Sequence, residues 1–195
     1  MKSRSVRDQL VEHAQVLIRR RGFNGFSYRD LAELVGVKTS SIHYYFPSKD
    51  DLVLEAVREY STRMQARLRA IDTSLPPAEQ ARQYLVPLRA GAGTDQACLV
   101  AMLSADVLAL PEAVRAVMQD YVRFNEQWLA HLFERAAAQR ETPYLEPPQQ
   151  LAQAVYGALQ TGLISARLFG SADRLDAAAS LLTSTMPVEP ALADA

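Results

Sequence analysis

Residues 27–49, SYRDLAELVGVKTSSIHYYFPSK, read as two short helices joined by a tight turn. Ser27 is placed to cap the first, its hydroxyl accepting a free backbone N–H of the opening turn. Asp30, three residues on, puts a carboxylate where the helix dipole is positive. Leu31, Leu34 and Val35 then recur at helical spacing. Gly36 ends this helix, because glycine enters the left-handed cap without steric cost. Val37 is an apolar plug, residues 38–46 form the second helix, and Pro47 cannot continue it. This is the sequence form of a helix-turn-helix, whose second helix enters a DNA major groove.

The residue types of that second helix suit the task. Lys38, Thr39, Ser40 and Ser41 are cationic or small hydrogen-bonding groups at its N-terminus, the end that meets base edges. His43, Tyr44, Tyr45 and Lys49 are longer groups fitted to phosphates. Ile42 and Phe46, one turn apart, face back to a small core. The run GFNGFSYRDLAELVGVKTSSIHYYFPSKDDL resembles the DNA-binding segment of the TetR family of transcriptional regulators. The likeness spans roughly residues 6–60. It rests on Gly22, Gly36-Val37, the Tyr-Tyr-Phe run and Ser48-Lys49 at the family spacing, with His43 standing where an aromatic is usual. By this resemblance Arg29, Lys38, Thr39 and Ser40 read bases, and Ser27, Tyr28, Ser41, His43, Tyr44, Tyr45 and Lys49 hold phosphates.

Outward from the motif the chain is helical throughout. Before it, residues 4–21 carry Val6, Leu10, Ala14, Leu17 and Ile18 on one face, ending in Arg19-Arg20-Arg21 at the negative end of the dipole. After it, Ser48 and Asp51 have the spacing of a capping box. Val53, Val57, Tyr60, Met64, Leu68 and Ile71 mark a long amphipathic helix. The periodicity predicts further helices over residues 78–86, stopped or kinked at Pro87; over 95–108, capped by Thr94; from Pro111 through Ala136; over 148–169; and over 173–185. Residues 1–3 are expected to fray and residues 187–195 to be disordered. No strand is predicted, so the fold class is all-α. Residues 1–48 form a DNA-binding head and residues 49–195 a larger body.

Charge supports the division. Residues 1–50 hold 9 Lys+Arg against 5 Asp+Glu, a net of +4; the remainder holds 12 against 17, a net of −5. A cationic head suits a polyanion. The longest apolar run, residues 97–103, is seven residues, far below the ~18 that a membrane helix needs. Nothing reads as a signal peptide. One cysteine excludes an internal disulfide, and a cytoplasmic protein is expected.

Catalysis finds no foothold: His13, His43 and His131 are scattered, and no metal-ligand spacing, GxSxG, phosphate-binding glycine loop or CxxC occurs. No cofactor or metal is expected. The family likeness implies instead a small organic effector bound within the body, and Tyr60, Met64, Met102, Trp128, Tyr156 and Gln160 are candidates to line its pocket. It also implies a homodimer on a near-palindromic operator. The small side chains Ala154, Ala158, Thr161, Gly162, Ser165 and Ala166, with Leu175 and Leu182, are expected at the subunit contact, where small groups let helices approach. The stretch ACLVAMLSADVLALPEAVRAVM resembles the NemR-like, electrophile-sensing branch, which carries its sensing cysteine at the place of Cys98, although Arg167 stands where that branch has a lysine. The function expected is that of a DNA-binding regulator, a repressor released by a small molecule or electrophile. The rival from another class is a small-molecule-binding or redox-reactive helical protein that has lost DNA binding. A helical enzyme is a third.

Overall fold

The computed structural model describes residues 5–140 and 142–187. Every regular element among them is helical. In order these are α1 (Val6–Arg21), α2 (Tyr28–Val35), α3 (Thr39–Tyr45), α4 (Lys49–Arg69), α5 (Pro77–Gly91), α6 (Leu99–Ser104), a single 3₁₀ turn (Val107–Ala109), α7 (Glu112–Ala137), α8 (Pro148–Phe169) and α9 (Asp173–Ser184). No helix among the described residues is long and apolar enough to cross a membrane. The expectations for residues 1–3 and 188–195 lie outside the described residues.

The contacts divide the chain into two units: Met1–Met64 with Asp95–Tyr121, and Gln65–Thr94 with Val122–Ala195. In the first, α1 to α3 pack on the first part of α4. Leu10, Ala14, Ile18, Leu31, Ile42, Leu52, Val53 and Val57 are all fully buried. The buried face of α1 is the one its periodicity predicts, joined by Gln15, whose Nε2 donates to the Ala56 carbonyl at 3.2 Å and whose Oε1 accepts from Arg63 at 2.8 Å. Leu34 departs from its expected face and is 52% exposed; the eight-residue α2 has room to bury only one apolar row, and Leu31 fills it.

The division differs from a break after residue 48, because Lys49–Met64 and Asp95–Tyr121 group with the motif, and residues 95–98 do not form a helix. The expected helix beginning at residue 95 is instead the six-residue α6, with Cys98 at its N-cap. Its first four residues are pulled straight by α1: the Ala97 N–H donates to the Arg19 carbonyl at 3.1 Å, and Arg19 Nε returns a bond to the Ala97 carbonyl at 2.8 Å. Arg20 also meets Asp95 at 2.8 Å. A backbone committed to those bonds cannot also close helical ones.

In the second unit, of the two outcomes expected at Pro87 the helix does not stop: α5 runs through it to Gly91. Pro87 is on the exposed side, where the lost hydrogen bond falls to solvent, and Arg89 beyond it meets Asp176 of α9 at 3.2 Å. In α7 Val114, Tyr121, Leu132 and Ala136 are buried as expected, whereas Val117, Phe124 and Trp128 are half-buried and the residue after each, Met118, Asn125 and Leu129, is buried in its place. Helices α8 and α9 pack most closely of all, Gly162 permitting the approach. A Cβ there would lie 3.0 Å from the Leu175 Cα.

Candidate DNA-binding surface and effector residues

The geometry of the motif starts with its caps. Ser27 and Asp30 form a capping box: the Ser27 N–H donates to the Asp30 carboxylate at 2.8 Å, and the Ser27 hydroxyl accepts from the Asp30 N–H at 3.5 Å. The Ser27 hydroxyl also donates to the Asp30 carboxylate at 2.6 Å, and this bond, with that from the Ser27 N–H, holds the Asp30 carboxyl below its ordinary range. Gly36 is left-handed, φ 75° and ψ 34°, and turns the chain so that α3 can start. Lys38 is the α3 N-cap. Ile42 and Phe46 anchor α3 to the core, and Arg7 of α1 lies over the Phe46 ring at 5.4 Å.

Anchoring one face of α3 turns the other to solvent. Lys38, Thr39, Ser40, His43, Tyr44 and Tyr45 are exposed and Ser41 is half-buried. Tyr44 is 83% exposed, its ring edge-on to Tyr45 at 5.2 Å. Arg29, at the start of α2, is also exposed, 3.5 Å from Glu33. The rings of Tyr28 and His43 meet at 4.8 Å, which joins α2 to this face.

Four of the residues expected at phosphates have polar groups engaged within the protein, His43 through Nδ1, 3.2 Å from the Pro47 carbonyl. Ser27 is in the capping box. The Tyr28 hydroxyl lies 2.9 Å from the Phe46 carbonyl and 2.5 Å from that of Ser48, sharing its one proton between them. Burial, with the Asp51 and Asp50 carboxylates, pushes this phenol up to about 12. Lys49 donates to the Phe26 carbonyl at 2.6 Å, and its ammonium rests on the rings of Phe26 at 4.3 Å and Phe23 at 4.8 Å. Burial there lowers its pKa.

The effector candidates fall into two groups. In the first unit, the Tyr60 hydroxyl lies 3.8 Å from the Cys98 sulfur, and burial raises the phenol's pKa. Both residues are buried; Met64 and Met102 are half-buried. In the second, Trp128 stacks on Tyr84 with ring centroids 5.1 Å apart, Tyr156 is buried, and Gln160 Oε1 is buried with no donor on it. Tyr84 and Asn125, 3.4 Å apart, extend this group, and periodicity alone did not mark them. An open hollow of about 370 Å³ is lined by Arg140, Tyr144 and neighbouring prolines, and by none of the candidates.

The expected subunit contact is divided too. Gly162 faces Leu175 of α9 in the same chain, and Ala166, Leu175 and Leu182 are buried within the chain. Ala154 and Thr161 are exposed, and Ala158 and Ser165 half-buried, on the other face of α8. Ile164, Leu168 and Leu181 join that outward surface at 43%, 77% and 53% exposure. The sequence hinted at them only in that α8 is apolar on more than one side, a pattern of helices covered all round.

Two family models match. Residues 10–56 match bacterial regulatory proteins of the tetR family, and residues 81–182, just over half the chain, match the tetracyclin repressor-like C-terminal domain. The chain belongs to the TetR family. Solved TetR-family structures agree along nearly all of it. A transcriptional regulator from Agrobacterium tumefaciens superposes with a TM-score of 0.87 at 28% identity over 94% of this chain and 98% of that one. One from Legionella pneumophila gives 0.86 at 25% identity over 96% and 100%. Among curated relatives, the transcriptional repressor KstR2 of Mycolicibacterium smegmatis is 31% identical over 39% of this chain, a match covering only 38% of that protein's length. The transcriptional regulator AcuR of Cereibacter sphaeroides is 26% identical over 76% of this chain and 70% of its own. The reduced form of E. coli NemR superposes with a TM-score of 0.77 at 22% identity over 96% of this chain and all of that one, which establishes a shared fold and gives the electrophile-sensing branch little support.

Proposed function

We propose that this TetR-family protein is a homodimeric transcriptional repressor. On this reading the exposed face of α3, with Arg29, holds a near-palindromic operator, and a small organic molecule releases it. The observation that carries the reading is the solvent-facing set Lys38, Thr39, Ser40 and Tyr44 on a helix whose opposite face is anchored by Ile42 and Phe46. An 83% exposed tyrosine contributes nothing to the core, whereas its ring and hydroxyl suit a sugar-phosphate backbone. Arg29, Lys38, Thr39 and Ser40 read bases; Ser41, His43, Tyr44 and Tyr45 hold phosphates. Ser27, Tyr28 and Lys49 act mainly by shaping the motif. Work on chromosomal DNA implies a cytoplasmic protein, and regulation rather than catalysis is its activity.

The effector groups are Tyr60, Met64, Cys98 and Met102 in one unit and Trp128, Tyr156 and Gln160 in the other. The lone acceptor at Gln160 Oε1 favours a ligand that presents an N–H or O–H among aromatic surface.

The test is selection of duplexes by the purified protein from a randomised near-palindromic pool, followed by a retardation series in salt. A selected duplex whose affinity falls steeply with salt is expected. Failure to enrich any sequence at low salt would favour a ligand-binding helical protein without DNA binding. Within the selected site, Arg29→Ala should relax the preference at one position in each half-site by about 1–3 kcal/mol.

A further inference from the structure

The turn between α1 and α2, residues 22–26, is held from two distant parts of the chain. From one side comes Lys49, the first residue of α4, with its ammonium on the Phe26 carbonyl and over the Phe23 and Phe26 rings. From the other comes Asp106, between α6 and α7. Its carboxylate accepts from the Phe23 N–H at 3.1 Å through one oxygen and from Asn24 Nδ2 at 3.1 Å through the other. Gly22 makes room for it: a Cβ there would stand 3.2 Å from Asp106 Oδ2, at a φ of 75° that side chains rarely adopt. Phe23 is thus gripped twice, its N–H by Asp106 and its ring by Lys49. The residue after this turn's end, Ser27, is the cap of α2, so the turn sets the direction in which α2 starts, and α3 follows through Gly36.

Resting on the DNA-binding reading above, we propose that Asp106 is a positioning residue for DNA recognition: from outside the helix-turn-helix it fixes the 22–26 turn, and with it the aim of the recognition helix. The carboxylate suits this role because each oxygen takes one donor and a charged acceptor makes the stronger bond. It also faces the turn across 83 residues of sequence, so movement of the α6–α7 connection changes the motif directly. Those 83 residues include all of α4, but the contact does not pass through it.

Simple electrostatics makes the opposite forecast, which gives the test its edge. Removing a carboxylate that lies against a cationic head should tighten the head's hold on a polyanion. If Asp106 positions the motif, Asp106→Ala should instead weaken binding to the duplex selected by the wild-type protein, by about tenfold. The salt slope should stay unchanged, since no phosphate contact is lost. A charge swap guards against a variant that merely folds badly. Asn24→Asp alone sets two carboxylates face to face and should lose affinity. Adding Asp106→Asn should recover it, because an amide at position 106 can donate to the carboxylate introduced at position 24 while its oxygen still accepts from Phe23. Binding by Asp106→Ala as tight as wild type or tighter overturns the proposal, as does a swap that recovers nothing. If the wild-type protein selects no duplex, the DNA-binding reading falls and takes this one with it; if it selects one and the variants bind it equally, only this one falls.

Discussion

Two tyrosines in the motif separate support from recognition. The Tyr28 hydroxyl is shared by the Phe46 and Ser48 carbonyls, whereas Tyr44 stands in solvent. Tyr28→Phe should therefore cost stability, about 1 kcal/mol or ~2–4 °C in melting temperature, with little effect on the DNA sequences preferred. Tyr44→Phe should leave the melting temperature alone and weaken binding to all duplexes alike. Reversal of the two outcomes would exchange their roles. Tyr28 also predicts a pH dependence. Its phenol rises from 10.0 to about 12 in the folded chain, chiefly through burial, so folding favours the neutral form. That contribution is complete below pH 10 and is lost as pH rises through 12. Melting temperature should therefore fall more steeply between pH 10 and 12 in the wild type than in Tyr28→Phe. Equal slopes would mean that the phenol is not buried beside the Asp51 and Asp50 carboxylates.

At the scale of elements, what the sequence disclosed depended on how local the cause was. The Ser27 cap, the Gly36 cap, α3 and the span of α8 follow from residues a few positions apart, and all were legible; that Asp30 also closes a capping box on Ser27 was not read. The short α6 was not, because what straightens residues 95–98 is Arg19, nearly eighty residues earlier. The same bond moves Cys98 from inside a helix to the N-cap of a six-residue one, where the thiol is buried beside Tyr60. The thiol is buried, and a sealed thiol is inert. Alkylation of Cys98 in the native protein should be slower by orders of magnitude than in the unfolded chain, and Cys98→Ser should leave effector release intact. Fast native labelling, with release abolished in the serine variant, would restore the electrophile-sensing reading. Asp106 was hidden for the same reason as α6: its partners, Phe23 and Asn24, are remote in sequence, and one aspartate in a loop carries no pattern.

For the whole molecule the question is whether the proposed dimer uses α8 and by which face, and two sets of substitutions test it. Gly162 was expected between subunits because small residues mark close helix approach. It does mark one, but the approach is to α9 of its own chain, with Leu175 Cα 3.0 Å from where a Cβ would stand. Gly162→Ala should therefore lower the melting temperature and leave the sedimentation coefficient unchanged. The outward face offers Ala154, Thr161, Ile164 and Leu168, a row at spacings of seven, three and four that repeats on one side of a helix. Leu181 of α9 is also exposed. Burying Ile164 and Leu168 in a symmetric contact would contribute about 1.5–3 kcal/mol for each side chain, and the two-fold axis counts each one twice. Ile164→Glu with Leu168→Glu removes that gain and sets carboxylates against each other across the axis. The double variant should sediment as a folded monomer with the wild-type helix content, and its operator affinity should fall because one head reads one half-site. A variant that remains dimeric at micromolar concentration would exclude this face and send the search to other exposed apolar groups, beginning with Leu108 at 94% exposure and Val86 at 64%.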